Sequence, residues 1–318
     1  MLDRTQPMIF NDRPSPFKRW LNRGFILSTG LAALIVAGLV GWIGWQVARE
    51  AQPAIAALGW RFLLDRSWNP VTNEYGVLPM LWGTVSSAAI ALLLATPIGI
   101  GTAIFLSEDF LPLPLRTLLV FWVELLAAIP SIVYGIWGFF ILIPLLQPLG
   151  AWLHGTLGWL PVFSTPYVGP GLLPAGLLLT LMILPLITAI ARDSLLALPS
   201  EWRDASLSLG ASRWTTIFRV LIPAAASGIG AGVMLALGRA LGETMAVTMV
   251  IGNSNTLSAS LLAPSNTIAS LLANQFNEAR DLQVAALMYA ALVLFGITLL
   301  VNVLAEWIVF NVQSSSGR

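Results

Sequence analysis

The chain has 318 residues, of which 57% are hydrophobic and only 10% charged, with a formal net charge of +1. Soluble domains carry roughly 25% charged residues, so this composition predicts a protein that crosses the membrane several times. The near-neutral charge argues against a nucleic-acid partner, and the absence of cysteine together with a single histidine, His154, argues against a disulfide or a bound metal.

The N-terminal third begins with a basic segment and continues into an apolar one. Residues 1–24 contain five basic residues and several prolines, and they are predicted to form a disordered cytoplasmic arm. Residues 25–47 carry no charge and are predicted to form the first transmembrane helix, because a cleaved signal peptide would have a shorter apolar core of about 7–15 residues. Residues 48–76 mix charged residues with tryptophan and are predicted to form a periplasmic or interfacial segment.

Five more apolar stretches predict five further transmembrane helices, which form a core over residues 77–312. Prolines are expected to kink three of them. Between the third and fourth of the six predicted helices, a break rich in Pro, Gly and Trp is expected to lie at the outer headgroup layer. An outer loop before the last helix is predicted to contain an amphipathic piece around 268–276. Residues 313–318 are predicted to form a cytoplasmic tail. The predicted helices cover about 77–106, 118–146, 172–195, 224–252 and 284–310.

Lysine and arginine predict the orientation. With the N-terminus inside and six helices, the inner segments carry eleven Lys and Arg residues and the outer segments carry four. Cytoplasmic segments carry this excess in most membrane proteins. Both termini are therefore predicted to be cytoplasmic, as is the polar loop 197–223, here named the coupling loop.

The coupling loop contains signals for two short helices. Ser200 after Pro199 favours a helix start, Gly210 favours a left-handed end, and Ser212 can cap a second helix. Its periodicity alone fits an ordinary polar loop as well as a docking surface. The second helix repeats apolar residues at spacings of three and four: Trp214, Ile217, Phe218 and Leu221.

The fifth predicted helix carries two charged residues within the membrane. Arg239 and Glu243 lie four apart, so they are expected to share a helix face and partly neutralise each other. One interpretation is a structural ion pair that joins two helices. The other is that both residues line an anion pathway, and in that case Thr244 is predicted to line it too. Glu124 in the third helix either pairs with Arg239 or lies near the interface without a role.

Two sets of motifs carry a family resemblance. Asp204-Ala205-Ser206, then Gly210, then Val220-Leu221-Ile222-Pro223 resembles the EAA loop of ABC-importer permeases, with Asp204 in place of Glu and Ser206 in place of the second Ala. The resemblance implies that this loop docks on an ATPase subunit. The residues to which that role extends are Asp204, Ala205, Ser206, Gly210, Trp214, Phe218 and Pro223.

From about residue 72 onward the chain resembles the permeases of phosphate ABC importers. The resemblance rests on the runs 75–79 (YGVLP), 129–135 (IPSIVYG) and 238–247 (GRALGETMAV). It implies an all-α polytopic bundle of six transmembrane helices with the MetI-like permease fold, in a bacterial inner membrane. It also implies a sister permease, an ATPase dimer that binds the ATP, and a periplasmic phosphate-binding protein.

The chain itself lacks the parts needed to hydrolyse ATP. A P-loop requires a lysine after its glycines, and the only lysine, Lys18, follows Ser-Pro-Phe. We therefore expect a transport subunit that is not an enzyme and holds no cofactor. The alternatives are an ATP-independent carrier or channel for a small anion, and a membrane scaffold that only recruits partners.

Overall fold

The computed structural model describes the backbone of residues 16–316 and the side chains of residues 20–304, 306 and 307. By its internal contacts the chain divides into two units, the first ending at Arg49 and the second beginning at Glu50. The helices are α1 (Pro16–Leu58), α2 (Leu78–Ser107), α3 (Leu113–Ala128), α4 (Ser131–Trp137), α5 (Ile143–Leu157), α6 (Leu172–Leu196), α7 (Ser200–Ser208), α8 (Arg213–Thr216), α9 (Ile222–Ala224), α10 (Ala226–Gly242), α11 (Met245–Val250), α12 (Ile268–Gln275) and α13 (Leu282–Ser316).

Strands occur in the described chain as one small hairpin. Strand β1 (Trp68–Asn69) pairs antiparallel with β2 (Glu74–Tyr75). Its two aromatic residues pack together, with ring centroids 5.1 Å apart, and the indole of Trp68 donates a hydrogen bond to Gln275 at the end of α12. The hairpin is thereby attached to the packed part of the second unit.

The first helix is longer than the sequence predicts. Helix α1 begins at Pro16, a residue favoured in a first helical turn, and it contains no further proline before Pro53. The expectation of a disordered arm is therefore wrong for residues 16–24, and residues 1–15 lie outside the described chain. At the other end, α13 continues to Ser316 through most of the predicted tail.

Within residues 16–316, five helical segments are long and apolar enough to cross a membrane, or six if the bent pair Arg213–Ala224 and Ala226–Gly242 counts as one. This range includes the six that were predicted. The predicted helix over 118–146, with a kink near Pro130, is divided at that proline into separate helices, because α3 ends at Ala128 and helix resumes at Ser131. The reason is Pro130, which disfavours helical geometry in the residue before it; Ile129 is extended, with ψ 128°.

The core is formed where α2, α6 and α10 pack together. Small residues allow the close approach: a side chain at Gly176 would overlap Ile90, and one at Gly99 would overlap Ile187. Gly228 of α10 likewise lies directly against Ser194 of α6. Two further small residues of α10, Ala236 and Ala240, are buried.

The segment between α11 and α12 is packed into the protein. The predicted amphipathic piece is confirmed as α12, and the backbone N–H of Ile268 at its start donates to Thr84 of α2 over 3.0 Å.

In the connection between α5 and α6, burial raises the pKa of Tyr167 to about 12. Tyr167 therefore remains protonated and donates to the carbonyl of Ile143 over 3.1 Å.

Candidate functional site

The coupling loop has the two-helix geometry that the sequence predicts. Helix α7 begins at Ser200, and Gly210 adopts φ +83°, where an added Cβ would meet no atom within 4 Å. Glycine is required here for its backbone conformation rather than for space. Ser212 caps α8 by accepting a hydrogen bond from the N–H of Thr215 over 3.2 Å. These three local predictions are confirmed.

The hydroxyl of Ser206, which the EAA pattern lacks at this position, forms a hydrogen bond within the loop. The oxygen atoms of Ser206 and Thr216 lie 2.9 Å apart, so a hydrogen bond joins α7 to α8 across the turn. Neighbouring Asp204 and Ala205 are exposed. The hydroxyl of Ser206 thus joins the two short helices, and the adjacent surface of α7 stays exposed.

An ion pair attaches the coupling loop to the turn between α2 and α3. Arg203 of α7 donates from Nη2 and Nε to one carboxylate oxygen of Glu108, at 2.9 and 3.1 Å, and Nη2 also donates to the carbonyl of Leu195 at 3.0 Å. Charge-assisted bonds of this kind are the stronger ones in proteins. This contact could not be predicted from the sequence, because the two residues lie 95 positions apart.

Aromatic contacts reinforce the attachment. The guanidinium of Arg213 lies 5.4 Å from the ring centroid of Phe110 and donates to the carbonyl of Asp109 over 3.3 Å. The ring of Phe110 also packs against Trp214, with centroids 5.7 Å apart. A displacement of the coupling loop would therefore be transmitted to the ends of α2 and α3.

The second half of the loop has one buried face and one exposed face. Ile217 and Leu221 are 1% and 0% exposed, whereas Trp214 and Phe218 are each 58% exposed and stack with centroids 6.0 Å apart. Leu209 at the turn is 89% exposed. A rim of large apolar side chains on a polar loop is typical of a surface that contacts another protein.

Pro223 lies at the bend between the coupling loop and the membrane. It belongs to α9, and the axis turns by 68° between Arg213–Ala224 and Ala226–Gly242. Proline removes one backbone donor and favours such a bend. The loop and α10 are thus consecutive parts of one bent helix pair.

Arg239 lies in an open groove of about 750 Å³ between α10 and α13. The groove is lined by Leu186, Ala231, Met234, Leu235, Gly238, Arg239, Asn302 and Glu306. A charge at mid-membrane costs about 2.5–3.5 kcal/mol on insertion scales. Among the described side chains no carboxylate forms an ion pair with Arg239, so its charge is available to a ligand or a partner chain.

The expected pairing of Arg239 with Glu243 is wrong. Helix α10 ends at Gly242, and Glu243 is extended, with ψ 125°, so the two residues do not share a helix face. The carboxylate of Glu243 instead accepts a hydrogen bond from the N–H of Ala246 in α11 over 3.3 Å. The hydroxyl of Thr244 donates back to the carbonyl of Gly242 over 3.2 Å. Both residues stabilise the break between α10 and α11.

Glu124 lies away from the Arg239 groove. It lines a small cavity with Arg192 and Asp193, near the ends of α2 and α6, and Arg192 pairs with Asp193 at 3.3 Å. Of the two expectations for Glu124, pairing with Arg239 is therefore wrong. Glu306 and Asn302, which do line the groove, were not identified from the sequence; the signal available was one acidic residue near the end of the last apolar stretch.

This architecture agrees with the comparisons to known proteins. Residues 95–314 match the family described as "Binding-protein-dependent transport system inner membrane component". Two crystal forms of the inward-facing MetNI methionine ABC transporter are similar in fold, with TM-scores of 0.55 and 0.51 and identities of 16% and 18%. They cover 77% and 74% of this chain, and the matches span 99% and 94% of those chains. The fold is thus that of an ABC-importer permease.

Sequence relatives define the family more narrowly. The phosphate transport system permease protein PstC of Mesorhizobium japonicum is 44% identical over 92% of this chain and 91% of its own length. That of Haemophilus influenzae is 41% identical over 94% of this chain and 96% of its own. A probable PstC of Methanocaldococcus jannaschii is 40% identical over 80% of this chain and 83% of its own. The chain belongs to the PstC family of permeases.

Proposed function

We propose that this chain is the permease subunit of an ATP-driven importer and forms, with a sister permease, the pathway for inorganic phosphate. The observation that carries the proposal is the coupling loop, which is attached to α2 and α3 through Arg203 and Glu108 while it exposes Trp214 and Phe218. Membership of the PstC family supports phosphate as the substrate.

In the first part of the mechanism, a partner ATPase moves the coupling loop. Closure of the ATPase dimer on ATP displaces the exposed surface around Asp204–Phe218. Because Glu108 and Phe110 attach this surface to the membrane helices, a rigid-body displacement tilts them between inward-open and outward-open states. ATP hydrolysis belongs to the partner, and this chain supplies the transmission.

In the second part, phosphate crosses the membrane along the groove that contains Arg239. The guanidinium offsets part of the cost of removing water from the anion by donating paired, charge-assisted hydrogen bonds. The absence of an intramolecular ion pair to Arg239 among the described side chains supports this role. Glu243 and Thr244 contribute by maintaining the helix break beside Arg239.

The partners follow from the family resemblance: a PstA-like sister permease, a PstB-like ATPase dimer and a PstS-like periplasmic phosphate-binding protein. The membrane helices are surrounded by the lipid of the inner membrane. The excess of Lys and Arg on the inner segments supports cytoplasmic termini and a cytoplasmic coupling loop. In this orientation the loop faces the compartment that contains ATP.

Reconstitution tests the proposal. The chain is inserted into liposomes with its sister permease, the ATPase dimer and the binding protein, and ATP hydrolysis and uptake are measured with phosphate or sulfate. We expect phosphate to stimulate hydrolysis and to enter only in the presence of ATP and all subunits. Phosphate entry through this chain alone would instead identify an ATP-independent carrier or channel.

A further inference from the structure

The groove around Arg239 is also lined by Glu306, an acidic residue that has no role in the coupling loop or in the helix break described above. With Glu243 engaged at the start of α11, the charged and amide side chains that line the groove are Arg239, Asn302 and Glu306. The remaining lining residues are aliphatic, Met or Gly. One positive and one negative side chain therefore face the same largely apolar space from two different helices.

The helical register aligns the two polar residues of α13 with α10. Asn302 and Glu306 lie four residues apart and so occupy one face of α13. An added Cβ at Gly238 would lie 3.8 Å from the amide oxygen of Asn302, which brings Asn302 level with Gly238 and its neighbour Arg239. Glu306 then lies one helical turn further along the same wall.

The charges of the groove are not neutralised by direct contact. Among the described side chains, neither Arg239 nor Glu306 takes part in an ion pair within 4.0 Å, and both are exposed to the groove. In a low-dielectric membrane, opposite charges that face one space still act on each other and on any ion between them. An anion bound to Arg239 is consequently repelled by Glu306.

We propose that Glu306 is the counter-charge that limits how tightly the groove holds an anion at Arg239. A permeation site must attract an ion enough to admit it and weakly enough to release it. Arg239 attracts the anion, and Glu306 opposes that attraction. Because Glu306 acts through Arg239 and does not contact the anion itself, it is a positioning residue. This inference rests on the proposed function, in which Arg239 contacts the transported phosphate.

The test is Glu306→Gln in the fully assembled importer, assayed for phosphate uptake at increasing concentrations of the loaded binding protein. Without the opposing charge the anion is held longer, so the apparent KM and the maximal rate of uptake are both expected to fall, each by roughly 5-fold or more. Glu306→Asp, which keeps the charge, is expected to restore both values. Glu278→Gln, at an exposed acid outside the groove, is the matched control and is expected to leave them unchanged.

Two outcomes would overturn the inference. Unchanged KM and maximal rate in Glu306→Gln would remove the restraint role, and loss of assembly with the sister permease in both Glu306→Gln and Glu306→Asp would make the residue structural. Arg239→Gln, measured in parallel, separates this inference from the proposed function. If Arg239→Gln abolishes uptake while Glu306→Gln has no effect, only the role of Glu306 fails; if Arg239→Gln transports normally, the pathway itself is refuted.

Discussion

Replacing Gly210 with valine is expected to weaken docking of the ATPase while the membrane helices stay intact. Gly210 has φ +83°, and an added side chain would meet no atom within 4 Å. The cost therefore comes from the backbone conformation alone, because a β-branched residue at positive φ is a strong outlier. The position lies in an exposed turn between two short helices, so the strain stays within the coupling loop.

The magnitude follows from this backbone strain. A residue held in a sparsely populated region costs of the order of 1–3 kcal/mol, which lowers the equilibrium constant for forming the native turn by a factor of roughly 5–150. A partner that binds only the native turn loses apparent affinity in proportion to the fall in the fraction of loops that hold that turn, so this factor is the upper limit of the loss. We expect the ATPase to bind the Gly210→Val permease pair measurably more weakly, by at most roughly 150-fold.

The assay is a titration of the ATPase subunit onto the permease pair in lipid nanodiscs, with phosphate-stimulated hydrolysis measured in the same samples. Gly210→Asn is the matched control, because asparagine tolerates positive φ better than other residues with a side chain, and it is expected to bind close to the wild-type level. The reasoning would be refuted if Gly210→Val bound the ATPase and drove uptake as well as the wild type.

Three further changes test other parts of the structure. Arg239→Gln is expected to abolish phosphate uptake while the permease pair still co-purifies, and loss of co-purification would favour a purely structural role. Glu108→Gln weakens a charge-assisted contact to Arg203 of about 1.5–3 kcal/mol, so the coupling loop should exchange its amide hydrogens faster and phosphate should stimulate hydrolysis less; unaltered exchange would contradict the anchoring role. Gly228→Val would overlap Ser194 and should lower the free energy of unfolding of the bundle by about 1–3 kcal/mol, which thermal unfolding would measure. Gly242→Ala, where an added side chain meets no atom within 4 Å, should leave that free energy unchanged.

Features determined by neighbours in the chain could be predicted. The end of α7 at Gly210 and the cap at Ser212 depend on bonds between residues a few positions apart, so local chemistry decides them. The apolar stretches likewise predict membrane helices, because the bilayer leaves a backbone few other ways to satisfy its hydrogen bonds. The motif over Asp204–Pro223 and the runs at 75–79, 129–135 and 238–247 identified the family through residue types at fixed spacings.

The pairing of charges could not be predicted in this way. Arg239 and Glu243 have the spacing of a helical pair, yet the helix ends between them and α11 turns to pack against α4, where a side chain at Gly135 would lie 3.0 Å from the Cα atom of Ala246. That break depends on a contact between residues more than a hundred positions apart. The same holds for Arg203, whose partner Glu108 is brought to it by the packing of α2 against α6.

The sequence alone thus determined the membrane class, the number of apolar stretches, the two-helix coupling loop and the presence of a charged residue within the membrane. Only the tertiary structure decided which residues share a groove with Arg239, because they come from separate helices whose register is fixed by packing. Local rules act through the backbone of a few residues, whereas a groove is formed by the relative positions of whole helices.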